Sequence, residues 1–300
     1  MRMAVIRVLK SRLLTAMVTP YDDQLQVDLD KAKRLAKHLA ETGSEGIVVC
    51  GTTGESPVLS AEEKLSLFAA VKEEVGDKVE VWAGTGSNNT NASVELTRSA
   101  SRLGVNGIMA VTPYYNKPSQ NGLYEHFRAI AEATDLPVML YNVPGRTGVN
   151  LLPETVKKLA EMENIVAVKE ASGNLDQVSQ LRTLVPDDFT IYSGDDSLTL
   201  PMLAVGASGV VSIASHIAGK RIKEMIDAFF NGEVVRACRL HGELFPLFKG
   251  LFITTNPIPL KEALNMMGLD VGGLRLPLTG ATDSEKAQIR RMLTEMGYLK

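Results

Sequence analysis

Residues 165–172 read Ile-Val-Ala-Val-Lys-Glu-Ala-Ser, a short apolar, β-branched run that ends in a lysine. Runs of the same kind recur at 13–18, 46–50, 79–83, 107–111, 138–141, 190–193 and 209–212. Between them lie longer stretches with the 3.6-residue period of helices, so the chain reads as repeated βα units. Strands this apolar are buried on both faces, as in a parallel sheet covered by helices. The helix starts agree: Ser60 with Glu63 predicts a capping box, and Pro153 suits a first helical turn. Eight such units predict an α/β fold, a (β/α)8 TIM barrel. The alternative, an open doubly wound sheet, calls for Gly-x-Gly-x-x-Gly after the first strand, where the chain reads AMVTPYDDQ, and no P-loop occurs elsewhere. We therefore expect the barrel over 12–232. Helical patterns at 220–230, 234–249, 260–267 and 284–296 supply the eighth barrel helix and a C-terminal helical appendage over 233–300.

The 300 residues are 45% hydrophobic, enough for a sizeable core. A formal charge of −3, with 22% charged residues of both signs, offers no basic stripe for nucleic acid or an anionic membrane. The first residues, MRMAVIRVLKSR, lack the apolar core of a signal peptide, and a cytoplasmic location is expected. The two cysteines, Cys50 and Cys238, read as structural thiols, and the Asn-x-Ser/Thr triplets at Asn88 and Asn91 as loop and helix-cap chemistry. His38, His126, His216 and His241 show no metal-binding spacing. Asp195 and Asp196 read as helix-capping acids, so neither a metal nor a cofactor is expected.

In such a barrel the chemistry gathers at the carboxyl ends of the strands. Here those ends are polar and glycine-rich: CGTTGES, VTPYYNKP, YNVPGRTG, VKEASG and YSGDD. Lys169, held at the mouth by an apolar run, reads as a Schiff-base nucleophile, because desolvation favours the free amine that attacks a carbonyl. The bland alternative is a lysine that snorkels out to pair with Glu170. Tyr141 ends the neighbouring strand, as either a proton shuttle or an anchored core tyrosine. Thr52 and Thr53 offer hydroxyls and amides to a carboxylate or a proton relay, or merely bond their own turn. Arg146, on the loop after the fifth strand, is placed to clamp a carboxylate or simply to face solvent. Lys249 and Lys261 also have apolar neighbours, but an amphipathic surface face explains both.

Taken together, Gly-Thr-Thr-Gly-Glu-Ser at 51–56, Thr-Pro-Tyr-Tyr-Asn-Lys-Pro at 112–118 and Tyr-Asn-Val-Pro-Gly-Arg-Thr-Gly at 141–148 resemble the dihydrodipicolinate synthase family. Val-Lys-Glu-Ala at 168–171, Gly-Asp-Asp at 194–196 and Asn-Pro-Ile-Pro-Leu-Lys at 256–261 extend the resemblance over nearly the whole chain. It implies a cofactor-free condensation of pyruvate with L-aspartate 4-semialdehyde, toward diaminopimelate and lysine, on a homotetramer built as a dimer of dimers. It further implies that Lys169 forms the pyruvate imine. Tyr141, Thr53 and Tyr115 would relay protons, with Tyr115 reaching into a neighbouring subunit's site. Thr52 and Thr53 would also hold the pyruvate carboxylate, Arg146 the carboxylate of the semialdehyde, and Gly194 and Val211 would be further substrate-binding residues.

Lysine-inhibited members of that family carry histidines and a glutamate at an effector site. The counterparts here are Ala61, Lys64 and Ala92, although Asn88 and Tyr114 are kept. Weak or absent lysine inhibition is therefore expected. Two rival functions share much of the pattern. One is another pyruvate-dependent aldolase, such as sialic acid lyase or a 2-keto-3-deoxy sugar acid aldolase, from which Arg146 discriminates. The other is a non-catalytic barrel that binds keto acids.

Overall fold

The apolar runs form strands of four to six residues: β1 Leu13–Ala16, β2 Gly46–Val49, β3 Glu80–Gly84, β4 Gly107–Val111, β5 Val138–Asn142, β6 Ile165–Glu170, β7 Thr190–Ser193 and β8 Gly209–Ser212. They close a barrel in sequence order, as expected. The structure, a computed structural model, describes residues 9–76 and 78–299, so most of the N-terminal stretch read for a leader lies outside the described residues. Among the described residues no helix is long and apolar enough to cross a membrane.

The helices are α1 Leu29–Glu41, α2 Ala61–Val75, α3 Thr90–Ser101, α4 Gln120–Ala131, α5 Pro144–Thr147, α6 Pro153–Leu159, α7 Leu175–Leu184 and α8 Thr199–Ala204. Then come α9 Ser215–Phe230, α10 Val234–Gly250, α11 Ile258–Met266 and α12 Asp283–Glu295, so the four C-terminal patterns all form helices. The capping box of Ser60 and Glu63 opens α2, and Pro153 takes the first turn of α6. Asn89 caps α3 by accepting from the Ala92 amide, so the cap lies between the two asparagines singled out in the sequence.

Strand ends shift for identifiable reasons. The first strand stops short of Val18, whose amide donates to Nε2 of His216 at 3.2 Å. Cys50, with φ of 56°, turns the chain out of β2. The fifth and sixth strands each run one residue further than expected, because the Ala171 amide donates to Asn142 O at 2.9 Å and that of Gly194 to Glu170 O at 2.8 Å.

Contacts divide the chain into two compact units, one containing residues 13–81 and 212–300, the other residues 82–211 with the described residues before 13. In the first, Leu13, Leu14, Ile47 and Val48 are fully buried, and α10 packs on α9. In the second, β4 to β7 stack Ile108, Met139, Leu140, Ala167, Val168 and Ile191 into a core without solvent contact or nearly so. The second unit also holds the one irregularity in its ladder: Val138 pairs with Ile165 but Met139 with Ala167, so Val166 is an extra residue in β6. This bulge sets Tyr141 beside Lys169 and Asn142 beside Glu170.

Lys261 corrects a sequence expectation. Far from lying on a surface face, it is 1% exposed, and its Nζ donates to Glu55 Oε1 at 2.9 Å and to Gly273 O at 2.5 Å. It also lies 4.1 Å from the centroid of the Tyr21 ring. Burial draws its pKa down to about 8, against the upward pull of Glu55. Lys249, by contrast, is exposed as expected. The pair with Lys261 fastens the end of the Gly-Thr-Thr-Gly turn to α11. Removing one partner of a buried pair strands the other charge, whereas replacing both leaves only packing to adjust. Lys261→Met should therefore destabilise the protein by about 3–5 kcal/mol in urea unfolding, and adding Glu55→Gln should recover most of that loss.

Candidate active site

Alternation along β6 sends Lys169 and Glu170 to opposite faces. Lys169 is 5% exposed and its Nζ lies 4.2 Å from the centroid of the Tyr141 ring, itself 4% exposed. The bland reading of Lys169 as a partner of Glu170 fails, because that carboxylate is satisfied elsewhere. It accepts from Asn142 Nδ2 at 3.0 and 3.2 Å, from Gln177 Nε2 at 3.1 Å and from the Ser172 amide at 2.6 Å. Asn150 closes the cluster through Asn142 and Gln177 at 2.8 and 2.7 Å. The outcome is a nearly buried amine beside a phenol, with its strand held from behind by neutral amides.

Gly194, just past β7, runs along the lysine stem. A Cβ there would stand 2.7 Å from Ala171 Cβ, closer than real side chains pack, and 3.1 Å from Lys169 Cε, a tight contact. Val211, in β8, is 1% exposed. Asp195 is a capping residue as expected, accepting from the amides of Ser197 and Leu198.

Arg146 is exposed on α5, a single helical turn where the sequence suggested a loop. Close in sequence to Tyr114, Tyr115 is 89% exposed, with φ of 75°, a strained setting for a tyrosine. Its amide donates to Thr147 O at 3.3 Å. A large aromatic side chain turned out in this way buries little surface within its own chain.

Within the other unit, the turn 51–56 closes on itself through Gly54 N to Gly51 O at 3.1 Å and Glu55 N to Thr52 O at 3.0 Å. Thr53 is 3% exposed, Thr52 half-buried. The hydroxyl of Thr53 accepts from Asn256 Nδ2 at 2.9 Å. The sequence pattern gives Asn256 a place in a motif but no chemical role. The available signal was an amide before proline in an apolar segment, where a polar side chain calls for a partner. His216 is 1% exposed and accepts from the Val18 amide at Nε2, so its Nδ1 carries the proton and donates to Ile213 O at 2.8 Å. Burial lowers its pKa to about 4, and it serves as a neutral brace.

Residues 9–296 match the model of the dihydrodipicolinate synthetase family. The chain belongs to that family. It is 61% identical to the 4-hydroxy-tetrahydrodipicolinate synthase of Desulforudis audaxviator over 288 residues, covering 96% of this chain and 98% of that one. Among solved structures, dihydrodipicolinate synthase from Bacillus anthracis superposes with a TM-score of 0.94 at 49% identity, over 96% of this chain and 99% of that one. The family member from Cyanidioschyzon merolae, solved with lysine bound, gives a TM-score of 0.95 at 50% identity, over 96% and 98% of the two chains.

The close approach at Gly194 gives the arrangement around Lys169 a direct test. Gly194→Ala should force a shift against Ala171 and crowd the Lys169 stem; if Lys169 is the imine-forming lysine, borohydride trapping with a small keto acid should slow by about tenfold, since small misplacements of reacting groups are costly. Trapping at the native rate would show that the stem has room to spare.

Proposed function

We propose that this protein is a 4-hydroxy-tetrahydrodipicolinate synthase, condensing pyruvate with L-aspartate 4-semialdehyde through a Schiff base on Lys169 in diaminopimelate and lysine biosynthesis. The observation that carries the reading is the buried Lys169 amine 4.2 Å from the Tyr141 ring, with Glu170 turned away into its own amide cluster. An amine relieved of a carboxylate partner is available as a nucleophile.

Nζ of Lys169 attacks the keto carbon of pyruvate, and loss of water leaves a protonated imine. That imine withdraws electrons from the methyl group, which gives up a proton and becomes an enamine. The enamine carbon attacks the aldehyde. The amine of the second substrate then displaces Lys169 from the imine carbon, closing the ring and freeing the enzyme. Tyr141, Thr53 and Tyr115 move the protons these steps require. Thr52 and Thr53 hold the pyruvate carboxylate, Arg146 receives the carboxylate of the semialdehyde, and Gly194 and Val211 complete the substrate-binding set. The outward Tyr115 suits donation to a neighbouring subunit in a homotetramer, and a cytoplasmic location fits a pathway of small soluble metabolites.

Borohydride reduction with pyruvate, followed by peptide mass mapping, should place one pyruvyl adduct on Lys169 and abolish activity. An adduct on Lys249 or Lys261 would remove the site from β6, and turnover of glyceraldehyde in place of the semialdehyde would reassign the enzyme to a sugar acid aldolase.

Regulation provides a separate test. Ala61 and Ala92, in the first turns of α2 and α3, carry no charge where lysine-inhibited relatives place ligating side chains, and Lys64 adds a positive charge that disfavours a lysine cation. Steady-state rates should change little up to millimolar lysine. Strong inhibition below that level would show that the pattern at 61, 64 and 92 does not decide sensitivity.

A further inference from the structure

Thr53 sits in a turn pinned from several directions. Thr19 Oγ1 donates to Gly54 O at 2.6 Å, and the Glu55 carboxylate receives Lys261 Nζ at 2.9 Å and the Arg275 amide at 3.1 Å. Lys261 belongs to α11, and Asn256 stands just before that helix, so one segment supplies both the anchor of the turn and the donor to Thr53. Asn256 is 5% exposed and Thr53 is 3% exposed. Neither side chain is free to reorient toward bulk water.

A hydroxyl has one proton and two lone pairs. With a lone pair of Thr53 Oγ1 taken by the Asn256 amide, the proton on Oγ1 must point to some other acceptor. We infer that Asn256 is a positioning residue: it holds Thr53 as a donor directed away from α11 and so fixes the sense in which the hydroxyl passes protons. This rests on the reading of Thr53 as a relay member. The assignment predicts an asymmetry that a purely structural asparagine would not produce. An aspartate of the same shape can only accept, so it would turn the Thr53 proton toward itself and out of the relay.

The test is a cycle of Asn256→Asp, Thr53→Val and the double variant, each checked for native thermal unfolding. Three quantities are read: borohydride trapping of pyruvate on Lys169, exchange of pyruvate methyl protons with deuterated solvent, and kcat with KM. N256D should still form the adduct and keep the pyruvate KM within about threefold, while kcat and methyl exchange fall at least about tenfold, part of the roughly 10²–10⁴ that positioned acid–base groups supply. In the T53V background, N256D should change kcat by less than about twofold, because the two residues act as one unit. Near-native kcat for N256D, or a full additional loss in the T53V background, would overturn the role of Asn256. Near-native kcat for T53V would overturn the relay reading itself and this inference with it. If N256D does not fold, Asn256→Ala completes the same cycle, with the same non-additivity expected.

Discussion

Parity along a strand governs this site. Successive side chains face opposite sides of a sheet, so Lys169 and Glu170, adjacent in sequence, cannot share an environment. The extra residue at Val166 decides which neighbour each receives: Tyr141 for the lysine, Asn142 for the glutamate. Without it, Lys169 would stand beside Asn142 and Tyr141 beside Val168, exchanging the faces of the fifth strand. A buried carboxylate without donors costs several kcal/mol, and the amides of Asn142, Gln177 and Ser172 offset that cost only because Asn142 falls on the same side as Glu170. One bulge therefore serves both faces, placing a phenol beside the amine and an anchor behind it.

Much of this architecture was legible in the sequence because it rests on local period. The strands, the capping box at Ser60 and the four C-terminal helical patterns all follow from residues within one or two turns of each other. The position of Lys169 near the carboxyl end of the sixth strand was legible for the same reason, although the strand runs one residue past it. The bulge was not, since Val166 is an ordinary strand residue whose extra place appears only against the fifth strand. Strand ends slipped where distant groups intervene, as at Val18, whose amide is claimed by a histidine 198 positions away. Thr53 was visible as a hydroxyl in a turn, but its donor lies 203 positions later, beyond any periodicity.

The two buried lysines show the limit most clearly. Val-Lys-Glu-Ala at 168–171 and Leu-Lys-Glu-Ala at 260–263 are nearly the same words, and local hydropathy gives no reason to treat them differently. In the fold both ammonium groups lie over a tyrosine ring, at 4.2 and 4.1 Å. What separates them is the carboxylate. Lys261 has Glu55 at 2.9 Å, brought from 206 positions away, and is thereby committed to holding a turn. Lys169 has its adjacent glutamate turned to the opposite face and occupied by neutral donors.

A buried lysine is thus structural or reactive according to whether tertiary structure supplies it with an anion. An ammonium paired at close range loses that attraction on becoming neutral, so Glu55 works against the burial that draws Lys261 down, and the pair gives this lysine a structural task. Lys169 has instead the weaker attraction of a ring face, with Nζ 4.2 Å from the Tyr141 centroid. The fold can keep such a lysine only by building the missing compensation into its surroundings. Here that compensation is the rigid frame around it: the amide cluster behind β6, the close passage of Gly194 along its stem and the paired fifth strand. The stability withheld from Lys169 is supplied by that frame, and under the proposed function this is what leaves the amine available to form and release a covalent bond.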